Sequence, residues 1–424
     1  MLTHKVRKIG GGFPSGNRSH DSQYHQKIPN YLILRPGKDP TQAESFRPIA
    51  LLSILGKVAE KIILKRLYHH VDTNNILIPE QHGFGPDLST THQLLRVVET
   101  IKSGLKDKKS TGAVFLDIQK AFDRVWREGL IFKLIKYDFP SPLIKLISSY
   151  LADRNFSVRI NDTHSSHRPT EAGVAQGTLI SPLIYVNDIP THHNTTLCMF
   201  ADDTAILASH TEPKLVARAI NRHLLVLEDW FSKWKIALNV AKTEAVFFTR
   251  KKRLIYPDIF LHNEKIPWSQ NTKYLGVTLD NKLTFKQHIT RIRENFIKKA
   301  HTLSHLISRR SKLSRSNKLL IYSSLLRPII TYASPVWSFA AKTHIQKLEV
   351  LQNKTLRQIL RADWYMRNAS LRNAINFKTI RNFMKKIAKK FFIKIDQSDN
   401  ISIQRIEKYT PTRLTHRPRN ILII

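Results

Sequence analysis

Cysteine is almost missing from this chain of 424 residues, with Cys198 the only one. No intramolecular disulfide can form, and no finger or knuckle built on cysteine-bound zinc. A reducing compartment, cytosol or nucleus, fits that scarcity. Acids are also few: Asp and Glu total 32 against 69 Lys and Arg, for a formal net charge of +37. The cations run along the whole length, which points to a long basic surface for a polyanion such as nucleic acid. A merely soluble basic protein is the blander alternative. Unbroken apolar runs of membrane-span length are lacking as well. The nearest, "LLIYSSLLRPIITYASPVWSFAA" (Leu319 to Ala341), is interrupted by Arg327, Pro328 and Pro335 and is expected to form buried helices joined by a turn. The opening "MLTHKVRKIGGGFPSGNRSH" has no apolar h-region and does not resemble a secretory signal, while its glycines and proline oppose an amphipathic transit helix.

What is present is enough for a core. Hydrophobic residues make up 42% and aromatics 9%, which excludes disorder throughout and supports two or three subdomains. No internal repeat or low-complexity tract stands out. Residues 1–30, polar and glycine-rich, read as a flexible leader, and a short strand is expected from Tyr31. Leu55, Val58, Ile62 and Ile63 have helical spacing, as do Leu94, Val98, Ile101 and Leu105. The run Ala113 to Leu116 reads as a strand buried on both faces, with Asp117 emerging at its end. "NFSVRIND" alternates and closes in a hairpin signal; "TLCMF", "TAILA" and "AVFFT" are further strands. Ile220, Leu224, Leu227, Phe231 and Trp234 form a helical stripe. After Asn281 the chain reads as nearly all helix and strongly basic. Ile289, Ile292 and Phe296 share one face there, and Ile345, Leu348 and Leu356 another. The fold class is therefore α+β.

The chemistry centres on "MFADDTAIL", Met199 to Leu207. Two adjacent carboxylates about 4 Å apart repel by roughly 4 kcal/mol at an effective dielectric near 20. Solvent relieves that repulsion, and Asp is an ordinary turn residue. A cation between the acids relieves it too. Asp117, 85 residues before Asp202, is a further acid at a strand end that an adjacent strand can bring to the pair. Hard oxygen donors without His or Cys suit magnesium, and two such ions clamp the oxygens of a phosphoryl displacement.

The segments "AVFLDIQKAFDRVW", "GVAQGTLISPL", "FADD", "LNVAKTEAVFF" and "KYLGVTLD" occur in the order of the palm motifs of reverse transcriptases. With "SFRPIALLSILGKVAEKII", "YASPVW" and "LQNKTLRQIL", the chain resembles the polymerases of non-LTR retrotransposons, of the jockey-like insect type, from about Tyr31 to about Leu360. The resemblance implies a right-hand polymerase fold: fingers over 31–111, palm with an antiparallel sheet over 112–280, helical thumb over 281–345 and a basic helical extension over 346–424. It implies DNA synthesis from dNTPs on an RNA template, extending a DNA primer or target 3′ end with two Mg2+ ions, or Mn2+ as substitute. It makes Asp117, Asp202 and Asp203 the metal ligands and Lys242 the general acid toward pyrophosphate. The backbone of Ile118, Gln176 and Gly177, with Lys38 and Arg47, would meet the incoming nucleotide. Phe122, five residues after Asp117, would exclude a ribose 2′-OH. Tyr274, Leu275 and Gly276 would grip the primer.

Three departures accompany the resemblance. The segment "IPEQHGFGPDLST" is one residue short and has Gly85 where the family carries arginine. "SPLIYVNDIP" is shorter than usual by close to one helical turn. Third, the segment before Tyr31 lacks the family's lead-in to the fingers, and no endonuclease domain precedes it, so integration is expected to need a separate endonuclease. Besides an active RNA-directed DNA polymerase, these features admit a truncated or decayed, inert copy that still binds RNA or DNA. An RNA-templated RNA polymerase is disfavoured by Phe122. No membrane partner is expected.

Overall fold

The computed structural model describes residues 27–423 apart from 35–38, 40, 43–44, 51–53, 84, 86, 119–124, 153–154, 161–162, 167, 170–171, 174–181, 252–254 and 413–415. Its strands are β1 Lys27–Leu34, β2 Phe46–Ala50, β3 Ser110–Leu116, β4 Asn155–Ile160, β5 Thr163–His164, β6 Arg168–Pro169, β7 Thr196–Phe200, β8 Asp203–His210, β9 Glu244–Phe248, β10 Ile259–Leu261, β11 Glu264–Ile266, β12 Trp268–Ser269, β13 Asn271–Tyr274 and β14 Val277–Asp280. The longer helices are α1 Ile54–Thr73, α2 Thr90–Lys106, α3 Arg127–Lys136, α4 Ser141–Leu151, α5 Pro213–Lys233, α6 Lys286–Thr302, α7 Lys342–Leu360 and α8 Ile380–Asp396. Among the described residues no helix is long and apolar enough to cross a membrane. The chain divides into two compact units. One comprises residues 1–81, 117–190 and 226–239, the other 82–116, 191–225 and 240–424.

The first unit carries a sheet in the order β2-β1-β4-β5, with β6 also on β4. β1 and β2 are antiparallel, whereas β1 and β4 run parallel from Lys27↔Asn155. Pairing with β4 starts β1 at Lys27, four residues before the strand expected from Tyr31. The alternating "NFSVRI" is β4, and Ile160 pairs with Thr163 of β5, while Asn161 and Asp162, which carry the expected hairpin signal, lie outside the described residues. Helix α1 forms where periodicity places it, but on a different face. Glu60, Ile63, Leu67 and Val71 are buried, while Leu55, Val58 and Ile62 are exposed. Spacing alone weighs every apolar residue equally. Here the inward face includes an acid, because Tyr150 Oη donates a hydrogen bond to the Glu60 carboxylate.

The second unit is built on a mixed sheet, β12-β9-β3-β8-β7. β3 is its centre and is buried along its entire length. One face takes the apolar stripe of α2, with Leu94, Leu95, Val98, Ile101 and Leu105 in the core. On the other face, a Cβ at Gly112 would lie 2.8 Å from Val216 and 2.9 Å from Ile220, so only glycine lets the start of α5 pack there. The stripe Ile220, Leu224, Leu227, Phe231 and Trp234 is buried, its first two residues in this unit and its last three in the first. Asp280 then turns β14 into α6: its carboxylate accepts the Thr284 N–H at 3.0 Å and the Phe285 N–H at 2.7 Å. Ile289, Ile292 and Phe296 of α6 join Ile345 and Leu348 of α7 in the same core. The broken apolar run Leu319 to Ala341 folds as short helical pieces, including a π-turn at Tyr322–Leu326 just ahead of Pro328. Buried helices joined by a turn were expected there.

Candidate active site

The acid pair sits on the hairpin β7–β8. Phe200 pairs with Asp203, leaving Ala201 and Asp202 as the two turn residues, with Ala201 left-handed at φ 57°. Asp202 thus lies in the turn itself and Asp203 opens β8, where it is exposed. Behind them the hairpin is a rigid base: Leu197, Cys198, Met199, Ala205, Ile206 and Leu207 are all buried. In the same sheet β8 pairs with β3 from Ser110↔His210 to Leu116↔Thr204. Asp117 is the next residue of the chain after Leu116.

Polar groups support the hairpin from α2. Arg96 is buried, donating to Gln93 Oε1 at 3.1 Å and to the Leu197 carbonyl of β7 at 3.2 Å. It ties α2 to the backbone of β7, the first strand of the hairpin. The backbone N–H of His82 donates to the Met199 carbonyl at 2.9 Å. The His82 ring meets Ser402 Oγ at 2.7 Å through Nε2. Burial first, then the Arg96 and His92 charges, push this imidazole down to about 2, so it is neutral.

Tyr274 closes the other side. It ends β13 and pairs with Val277 across the turn Leu275–Gly276. The Tyr274 ring packs 5.1 Å from Phe115. Its phenol is buried and pushed well above the usual tyrosine value, by desolvation first and then by Cys198 and Asp203. Tyr274 therefore faces the core, and the turn presents the backbone of Leu275 and an exposed Gly276. Lys242 is exposed on the short turn Val240–Lys242.

In the first unit, the Asp117 carbonyl accepts the Asn239 N–H at 2.8 Å, and buried Ile118 bridges to Leu238. Two segments far apart in sequence, "LDI" and "LN", meet there. Arg47 lies on β2 opposite Ile33. Lys38, Phe122, Gln176 and Gly177 fall outside the described residues. Among the described residues, no three His, Cys, Asp or Glu side chains are grouped to hold a metal. The donor chemistry of the acids themselves, carboxylate oxygen without imidazole or thiolate, suits a hard divalent cation.

Residues 36–279 match the family model for reverse transcriptase (RNA-dependent DNA polymerase). The chain belongs to the reverse transcriptase family. Within that family its likeness is to the jockey-like non-LTR elements. It is 36% identical to the RNA-directed DNA polymerase from mobile element jockey of Drosophila melanogaster, over 87% of this chain and 41% of that protein. It is 33% identical to the probable RNA-directed DNA polymerase from transposon X-element of the same fly, over 92% of this chain and 44% of the relative. The chain therefore spans about two fifths of the length of the curated relatives it matches. Among solved structures, apo telomerase from Candida tropicalis is similar at a TM-score of 0.45 and 11% identity, over 96% of this chain and 67% of that one. As a reverse transcriptase, the chain has the α+β polymerase fold that its motifs imply.

Sequence reasoning passed over the groups that hold this family frame together. Gln93 and Arg96 look like one more polar step on α2, and only their burial behind β7 reveals their place. Lys133 is fully buried in a ring of aromatics, 3.7 Å from the Trp234 ring centroid. A signal existed for it, since Lys133 falls between Leu130 and Leu134 on the apolar stripe of α3.

Proposed function

We propose that this chain is an RNA-directed DNA polymerase core that adds deoxynucleotides to a DNA 3′ end on an RNA template. The observation that carries the proposal is the pairing of β3 with β8, the strand leading into Asp117 beside the strand that opens at Asp203. That register supports the role assigned by resemblance to Asp117, Asp202 and Asp203 as holders of two divalent ions, magnesium or manganese. When bound, such ions supply Lewis-acid stabilisation to the attacking and leaving oxygens of phosphoryl transfer. The chain's own residues orient the reactants. Lys242, solvent-accessible on its turn, donates a proton to the departing pyrophosphate, and the turn Leu275–Gly276, exposed at Gly276, steadies the primer strand. Lys38, Arg47, Gln176 and Gly177 bind the nucleotide, the Ile118 carbonyl serves the metal neighbourhood, and Phe122 excludes ribose. This reading assigns fingers to 31–111, palm to 112–280 and thumb to 281–345. RNA template and DNA primer are the partners, in nucleus or cytoplasm, and a separate endonuclease supplies the nick.

The test is primer extension on an RNA template with deoxynucleotides and magnesium, run beside Asp202→Asn. Extension by the parent and none by the variant is expected, without ribonucleotide incorporation. Failure of both proteins to extend, with duplex binding intact, would overturn the proposal in favour of an inert binder.

A further inference from the structure

Six tryptophans occur in the chain, and five are buried or half-buried. Trp364 is 90% exposed, and beside it Tyr365 is 67% exposed. Indole is the largest apolar side chain, and a fold that has no use for it in solvent buries it. The two rings stand 6.0 Å apart and nearly perpendicular, at 85°.

The loop that presents them is held from inside. Helix α7 ends at Arg361, left-handed at φ 55°. Arg357, one turn back, donates to the Asp363 carbonyl at 2.7 Å, to the Met366 carbonyl and to Asn368 Oδ1 at 3.0 Å. Arg309 donates to the Ala362 carbonyl at 2.8 Å. The Met366 N–H closes back on the Asp363 carbonyl at 3.2 Å, and Tyr365 Oη donates to the Asp363 carboxylate at 3.2 Å. Two arginines thus spend their donors on one short turn. The result is a platform anchored through the Ala362, Asp363 and Met366 carbonyls, with its aromatic side chains exposed. The surroundings are cationic, with Arg310, Lys312, Arg361 and Arg367 exposed in the same stretches of chain. Asp363 is the one acid between Leu351 and Asp396.

Exposed aromatic side chains within a field of guanidinium groups match unpaired nucleotides, whose bases stack while their phosphates meet the cations. We propose that the Trp364–Tyr365 loop is a binding site for single-stranded RNA, separate from the acid pair. The RNA assignment rests on the polymerase reading, in which the template is RNA. A paired strand cannot use the platform, because its bases are already stacked on each other.

Binding of a fluorescently labelled, unstructured 12-nucleotide RNA to the full chain tests this, beside an RNA duplex and a DNA single strand of the same sequence. Trp364→Ala is expected to weaken single-stranded RNA binding about tenfold, and Trp364→Phe to restore most of it. Duplex binding and the melting temperature should stay as in the parent, since the indole touches no core. Equal weakening on duplex and single strand, or none on either, would overturn the site. Tighter, Trp364-dependent binding of the DNA strand would overturn the RNA assignment. Loss of a dimer in sedimentation, with RNA binding kept, would assign the face to a second protein copy and overturn it too. Failure of the polymerase reading is distinguishable: the parent would then not extend a primer, whatever Trp364→Ala does to RNA binding.

Discussion

Arg417 lays its guanidinium against the carboxylate of Glu99, 318 residues earlier in the chain, with Nε at 2.8 Å and Nη2 at 2.6 Å from Oε2. Both side chains are nearly inaccessible, at 3% and 4%. Tyr409 Oη also donates to Glu99, and Arg417 Nη1 reaches Glu407 at 2.7 Å. The C-terminal segment is thereby fastened to α2, the helix that also backs the acid hairpin. Its role in the fold is that of a clamp.

Removing one partner of a buried ion pair leaves the other charge desolvated, at a cost of about 3–5 kcal/mol. Arg417→Ala is expected to lose that much in urea unfolding at pH 7. Burial already holds the Glu99 carboxyl above its usual value, against the pull of Arg417. Without Arg417 it rises further, so the loss should shrink as pH falls and Glu99 takes up a proton. The double variant Glu99→Leu, Arg417→Met should recover most of the stability.

Two buried histidines make the fold sensitive to mild acid. Burial, with Arg96 and His92 adding, puts His82 at about 2; burial and Arg291 put His288 at about 3. Both are depressed below the unfolded value of 6.5. Below pH 6.5 the unfolded chain gains protons that the native one refuses, so stability falls with pH through that window. Each imidazole contributes a slope of about 1.4 kcal/mol per pH unit. Between pH 6.5 and pH 5 the two together should remove about 3 kcal/mol. His288→Gln should lose about 2 kcal/mol less over the same interval, read by urea titration at each pH.

Elements that repeat a pattern along the chain were legible in the sequence. The stripes of α2, α5 and α6 and the buried β3 were visible because each buries residues at regular spacing. The β7–β8 hairpin was legible because two apolar runs flank the acid pair, although the structure places Asp203 in β8 and not in the gap. Helix α1 deceived because its exposed face carries Leu55, Val58 and Ile62 while an acid points inward. The long-range pairs left no trace. Glu99 with Arg417, and Lys133 with Asp188, bring together residues whose neighbours in sequence give no hint of a partner. Nothing in the sequence around Trp364 marks it as exposed, since exposure is a property of the packed chain.

Lys133 gives a pH dependence of the same sign as the histidines, in an alkaline window. Its ammonium donates to the Tyr185 carbonyl and to Asp188, within a box formed by Tyr185, Trp230 and Trp234. Burial pulls it down from 10.5 to about 8, against the raising effect of Asp188. Between pH 8 and 10.5 the unfolded chain holds the proton that the native one has released, so stability rises with pH there. From pH 8 to 9.5 the expected gain is about 2 kcal/mol. Lys133→Met should abolish this gain, measured by guanidinium unfolding followed through tryptophan emission. A variant that keeps the full rise would assign it to another group.

The turn at Leu275–Gly276 separates fold from function most sharply. Both residues are left-handed, Leu275 at φ 43° and Gly276 at φ 81°, the pattern of a hairpin turn that favours Asn-Gly. A Cβ at Gly276 would stand 3.0 Å from the Tyr332 ring, whose hydroxyl donates to the Leu275 carbonyl at 2.9 Å. Gly276→Ala should therefore cost about 1–2 kcal/mol. Leu275→Asn should instead relieve backbone strain of similar size, offset by the packing that the half-buried leucine loses. If the turn steadies a primer, Gly276→Ala lowers extension beyond what its stability loss explains, with the deficit in primer KM. Were extension to track unfolded fraction alone across both variants, the turn would be structural, and the primer would be held elsewhere.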